Sequence, residues 1–182
     1  MKKIAAGLLS VAATALLAGA AHAQIPHITP FAFEARAGVA VPTGRFNDAA
    51  NPGYALNGNI TYQAIPVIGV YAGYDFVHFG QDGGSGKLTD TGVDVGLRVG
   101  IPTPLIPIDP YLKGGVIFHR LKLTDATTGN FSDTGTGLEV GAGLGFGFGP
   151  LSLTPGVTYV HYNVAGGRAS YVKADVGLRV RI

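Results

Sequence analysis

Apolar and polar positions alternate along Tyr171–Ile182. Val172, Ala174, Val176, Leu178, Val180 and Ile182 fall on one face of an extended strand; Lys173, Asp175, Gly177, Arg179 and Arg181 fall on the other. Successive strand side chains point to opposite faces, so this segment is a ribbon with an oily side and an ionic side. The same period of two recurs in eight runs: Phe31–Val41, Tyr54–Ile65, Ile68–Phe79, Thr91–Ile101, Pro110–Leu121, Gly137–Phe148, Leu151–Tyr162 and Tyr171–Ile182. Each is long enough for the ~9–11 residues that a tilted strand needs to cross a bilayer. No amphipathic helix remains to cover the oily faces. The pattern therefore predicts an all-β fold, an eight-stranded antiparallel up-and-down transmembrane β-barrel with oil outward and charge inward. Closure is required because open strand edges in lipid leave backbone groups unpaired. A soluble barrel would have the opposite arrangement, with an apolar lumen.

The register follows strand by strand. Phe31, Phe33, Ala35, Ala37, Val39 and Val41 face out against Glu34 and Arg36. Leu56, Gly58, Ile60 and Tyr62 face out against Asn57, Asn59, Thr61 and Gln63. Val70, Ala72, Tyr74 and Phe76 oppose Tyr71 and Asp75; Val93, Val95, Leu97 and Val99 oppose Asp94 and Arg98. In the fifth run, Lys113 inward sets Leu112, Val116 and Phe118 outward, with Arg120 also outward near the rim. In the sixth, Leu138 to Phe148 alternates against Glu139, Gly141, Gly143, Gly145 and Gly147. In the seventh, Leu151, Leu153, Val157 and Tyr159 oppose Ser152, Thr154 and Thr158. This register turns Glu34, Arg36, Asp75, Asp94, Arg98, Lys113, Glu139, Lys173, Asp175, Arg179 and Arg181 into the lumen. A slip of one residue would put a strand's charges into lipid, where each Lys or Arg at the midplane costs about 2–4 kcal/mol. The outward aromatics form two girdles: Phe31, Phe33, Tyr62, Phe146 and Phe148 low, and Tyr54, Phe76, Phe118, Tyr159 and Tyr171 high.

The connections alternate in length. Ile65-Pro66-Val67, Pro102–Asp109 and Gly149-Pro150 are short or Pro-rich and are expected on the periplasmic side. Pro42–Gly53, Gly80–Asp90, Lys122–Thr136 and Asn163–Ser170 are longer and are expected outside. The N-terminus carries an export signal. Basic Met1-Lys2-Lys3 is followed by the uncharged apolar run Ile4–Ala20, and Ala21-His22-Ala23 supplies small residues for cleavage before Gln24. Residues 1–23 are thus expected to be a signal peptide and 24–182 the barrel domain. The chain holds 13 Lys and Arg against 11 Asp and Glu. Lys2 and Lys3 leave with the signal, so the mature charges balance. No basic tract remains, which argues against a nucleic-acid partner. With no Cys, lipid attachment at a processed Cys and thiolate metal sites are excluded.

These features resemble the eight-stranded outer membrane protein β-barrel family, the small barrels related to the transmembrane domain of outer membrane protein A. The resemblance covers Phe31–Ile182. It implies residence in the cell outer membrane as a monomer among outer membrane lipids. It also implies insertion by the barrel-assembly machinery through an end segment carrying Tyr171, Val176, Leu178, Val180 and Ile182. The terminal Ile182 departs from the aromatic residue that usually ends that signal.

Candidate chemistry is sparse. Gly83-Gly84-Ser85-Gly86-Lys87 suggests a phosphate loop, but Gln81 stands where its first Gly belongs, Leu88 replaces the Ser or Thr, and no helix follows. His78 and His161 face lipid by period while His119 faces in, so the three do not converge on a metal. Small barrels that deacylate lipid A use a Glu and a His and Ser two apart on one strand face; here Gly80, Leu121 and Asn163 follow the three histidines at that spacing. The chain is therefore read as a non-enzymatic barrel without cofactor, catalytic or metal residues. Its lumen is plugged by a salt-bridge network, since eight strands leave an interior that side chains just fill. The bare glycine wall of the sixth run is expected to accommodate Arg side chains from across the lumen, and the low Arg side chains to reach up toward the mid-lumen acids. A role in envelope structure or surface interaction follows. The alternatives are a narrow passive porin-like channel and, behind it, a lipid-modifying enzyme.

Overall fold

The computed structural model describes residues 31–81, 86–104, 108–125, 129–164 and 167–182. The signal peptide, and residues 83–85 of the glycine-rich loop, lie outside them. The eight alternating runs become eight strands: β1 (Phe31–Pro42), β2 (Ala50–Ile65), β3 (Ile68–Gln81), β4 (Lys87–Gly100), β5 (Asp109–Asp125), β6 (Gly129–Phe148), β7 (Leu151–Val164) and β8 (Gly167–Arg181). Each pairs antiparallel with its sequence neighbours, and β1 pairs with β8 to close the barrel. Closure leaves no edge strand, so backbone groups are satisfied around the whole ring.

Apart from Tyr171 in β8, the expected facing holds in the strands. In β1, Val39 is 54% exposed while its neighbour Ala40 is fully buried. The exposed large side chains, among them Leu56, Ile60, Val95, Leu97, Val140 and Leu178, form a continuous apolar belt on the outside. Phe31 and Tyr62 touch in its lower girdle, with ring centroids 5.3 Å apart, and Tyr54 and Phe76 in its upper one at 6.2 Å. Tyr171 does not belong to that upper girdle: it shares parity with Lys173 and Asp175 and is fully buried in the lumen.

The main difference from the sequence reading lies at the upper rim. Much of the predicted loop Lys122–Thr136 is strand, because β5 and β6 stay paired up to Asp125 and Gly129. Likewise β4 begins at Lys87 and β8 at Gly167. These hairpin ends carry Thr, Ser, Asn and Asp in place of alternating apolar residues. They rise above the hydrocarbon, where the outer face no longer needs oil, while the backbone ladder continues and Leu88, Leu121 and Leu123 pack inward. The segment between β1 and β2 holds a short 3-10 helix, Gly44–Asp48, whose Phe46 is buried.

The interior is layered. Its upper part is an apolar cluster that includes Phe46, Val77, Phe79, Ile117, Val160 and Tyr162. Phe46 meets Phe79 edge-on at 5.4 Å, and Phe79 meets Tyr171 at 5.3 Å. Below this cap the lumen is polar and charged.

Candidate functional site

Strand pairing places the lumen charges. Glu34 and Arg36 are two apart on β1 and share a face. The β1–β8 register sets Glu34 opposite Arg179, as their low positions on the two closing strands imply. Glu34 becomes the hub of a lower cluster. Its carboxylate accepts from Arg36, from Arg98 of β4 at 3.1 Å, from Arg179 at 3.5 Å, and from the Thr154 hydroxyl of β7 at 2.6 Å. Arg98 also lies over the Tyr111 ring, 3.4 Å from its centroid, a placement that suits a planar cation.

A second cluster sits above. Lys173 of β8 donates to Asp75 of β3 at 2.5 Å and lies 4.0 Å from Glu139 of β6. Lys113 donates to both Glu139 oxygens at 3.2 Å, and the Tyr71 hydroxyl donates to Glu139 at 2.5 Å. Arg36 links the layers by reaching up to Asp175 at 2.5 Å. Arg98 and Arg179 do not reach up as expected; both turn to Glu34, the nearest acid at their own level. Asp94 is buried, but neither of its carboxylate oxygens has a hydrogen-bond partner among the described residues. Arg181 stands apart from the plug, pairing at the half-open lower mouth with Asp109 at 3.2 Å. A void of about 10 Å³ lies beside the lower cluster, lined by Glu34, Arg36, Asn59, Thr61, Tyr71, Arg98 and Lys113. That is at most the volume of one water.

A third polar group joins the ions to the cap. Asp90 accepts from the Tyr171 hydroxyl at 2.7 Å and meets the His119 imidazole at 3.0 Å, all three fully buried. Sequence reasoning missed Asp90 by ending the fourth run at Thr91. Its signal was parity, since Asp90, Gly92 and Asp94 share one face. Tyr111 was missed as well.

The glycine wall is filled by a neighbouring strand. A methyl group on Gly143 would meet the Tyr111 hydroxyl and would stand 2.5 Å from the Pro155 carbonyl oxygen; one on Gly141 would crowd Thr158 and Lys113. The expected Arg side chains are not among the nearest neighbours of that wall; Arg36 instead lies 2.8 Å from where a methyl on Gly156 of β7 would stand. Gly143→Ala is therefore expected to lower the urea midpoint by the equivalent of about 1–3 kcal/mol, the usual penalty of overpacking. Gly58→Ala, on the outer face with open space around it, should leave it unchanged or slightly raised. Equal effects would mean the wall is not packed.

The remaining candidates stay apart. His78 lies beside Tyr54 and Thr89 on the outer face, and among the described residues no three metal-ligating side chains converge. His161 does find a hydroxyl, across the β7–β8 ladder: its Nδ1 is 2.7 Å from Ser170 Oγ. Spacing along one strand could not reveal this pair. No carboxylate shares the outer face of the described residues of β6, β7, β8 or β1 near it, so nothing is placed to orient the imidazole as an acid does in a nucleophilic triad.

Residues 9–180 match the family model described as the outer membrane protein beta-barrel domain. The chain belongs to this family. Its members reside in the bacterial outer membrane, and so does this barrel. They are outer membrane barrel proteins rather than enzymes. Among solved structures, Neisserial surface protein A is similar with a TM-score of 0.67 at 19% identity, covering 84% of this chain and 97% of that one. The attachment invasion locus protein Ail of Yersinia pestis gives 0.54 at 16% identity over 82% and 97%. The N-terminal barrel domain of Pseudomonas aeruginosa OprF gives 0.50 at 18% over 81% and 96%. At such identities these likenesses concern the fold. A comparison with curated protein sequences finds no match.

Proposed function

We propose that this outer-membrane barrel does not conduct and serves the envelope as a rigid body, with a structural role and surface contacts made at its upper rim. The observation that supports this reading is the filling of the lumen. Two ion clusters, a buried Asp–His–Tyr group and an apolar cap follow one another along the axis, and the void beside the lower cluster is about 10 Å³. A hydrated ion passing through would have to displace paired charges from low dielectric and then unpack Phe46, Phe79 and Tyr171. Two of the similar structures are named as a surface protein and an attachment protein, which agrees with a role at the cell surface.

The test is conductance of the refolded chain in a planar bilayer. Current no higher than that of the bare membrane is expected across ordinary salt and voltage. Discrete, reproducible openings would favour the narrow passive pore.

A further inference from the structure

Outward-facing charge is rare on the strands of this barrel and, apart from Arg168 at the upper end of β8, it gathers on β4 and β5. Phe118 of β5 is 52% exposed in the upper aromatic girdle. Arg120 and Lys122 follow it on the same outer face, two and four residues higher. Lys122 is paired with Thr89 and Arg120 with Thr91 of β4. Lys87 lies two residues beyond Thr89, so Lys87 and Lys122 are diagonal neighbours, roughly 7–8 Å apart. The other outward positions here are hydroxyls and an amide: Thr124 on β5, and Asn130, Ser132, Thr134 and Thr136 on β6. Arg120 Nη2 donates to Ser132 Oγ at 2.9 Å, which ties the guanidinium to the outer face of β6. Among the described residues no carboxylate shares this face: Asp90 is fully buried in the lumen, and Asp133 has inward parity opposite Leu121.

Height identifies what the patch meets. Along strands tilted by about 45°, two and four residues correspond to roughly 5 and 10 Å above the aromatic girdle. The headgroup layer is about 5–8 Å thick on each side of the hydrocarbon. Arg120 therefore stands at headgroup depth, and Lys122 and Lys87 just above it, from where their long flexible side chains reach back to the same layer on the side turned to lipid, where anionic lipid groups attract them. Arg forks suit phosphate oxygens, and Lys serves as a point charge for the same group.

We propose that the outer face of β4–β6 above Phe118 is a binding site for phosphorylated lipid headgroups of the surrounding leaflet, held by Lys87, Arg120 and Lys122 with the neighbouring hydroxyls. This inference rests on outer-membrane residence and not on a closed lumen, so a conducting barrel would leave it intact.

Native mass spectrometry of the refolded full barrel in detergent tests it. Phosphatidic acid is compared with the diacylglycerol of the same chains, with inorganic phosphate as competitor. The wild type should retain phosphatidic acid more strongly by a factor on the order of ten or more. Lys87→Gln/Arg120→Gln/Lys122→Gln should lose that preference, Lys87→Arg/Arg120→Lys/Lys122→Arg should keep it, and Arg45→Gln should not change it. If the triple variant fails to fold, the single variants Arg120→Gln and Lys122→Gln carry the test, each showing a partial loss. No preference in the wild type, or an undiminished one in the neutral variants, overturns the proposal. Displacement of the lipid by inorganic phosphate at matching concentration would make this a free-anion site and also overturn it.

Discussion

Glu34→Ala is expected to destabilise the barrel by about 3–5 kcal/mol, the usual result of removing one partner from a buried ionic cluster. Three guanidiniums converge on this carboxylate, and the Thr154 hydroxyl completes its shell. Without it, Arg36 keeps Asp175, but Arg98 and Arg179 are left in the lumen beside each other with no acid at their level. Glu34→Gln should fall in between, since it keeps the shape and the Thr154 contact but not the charge. Asp109→Ala, which breaks the exposed rim pair with Arg181, should cost about 0–1 kcal/mol. Urea unfolding in lipid vesicles measures all three. An unfolding midpoint for Glu34→Ala equal to that of Asp109→Ala would show that the lower cluster contributes nothing to stability.

Val95→Arg should come next, at about 2–4 kcal/mol. Val95 is exposed on the outer face in the middle of β4, between Ala72 and Val116 of the adjoining strands. An Arg there must snorkel past several residues of apolar belt or stay in hydrocarbon. The same change at Thr134, on the outer face of the β5–β6 hairpin above the upper girdle, should cost about 0–1 kcal/mol because that depth is interfacial. Refolding yield and urea midpoints of the two variants separate them. Equal midpoints would mean that Val95 does not face lipid.

The barrel itself was legible because lipid punishes a wrong register. Every strand that crosses the belt must alternate, so its face can be read from residues such as Arg98 between Leu97 and Val99. Above the belt that pressure ends. At the upper ends of β4 and β5 the alternation is reversed, with Leu88, Leu121 and Leu123 turned to the interior cap and Lys87 and Lys122 outward, so a rule that seeks oil outward stops short of them. Tyr171 was assigned outward because aromatics favour the interface, yet parity with Lys173 already placed it inside. The set of lumen residues followed from parity, but their partners did not. Which acid each Arg meets depends on stagger: a row of paired residues followed around the barrel from Thr89 of β4 returns to that strand at Val99. Residues at equal distance from their strand ends therefore stand at different heights, so Arg98 and Arg179 find Glu34 and not the acids above. The apolar cap was hidden for another reason. Phe46 comes from a loop, and period-two reasoning says nothing about a loop residue that folds back into the lumen.

The central claim, a lumen closed to water and ions by its own side chains, can be tested at one atom. The chain has no Cys, so a single substitution gives an unambiguous probe. Thr158 is 3% exposed and faces the lumen at mid-height, opposite Lys173 and Gly141. Thr158→Cys in refolded vesicles should remain unlabelled by a charged, membrane-impermeant maleimide applied from both sides, and should react fully only after unfolding. Labelling of folded Thr158→Cys at the rate of the exposed control Thr134→Cys would show an open aqueous path through the barrel and contradict the account.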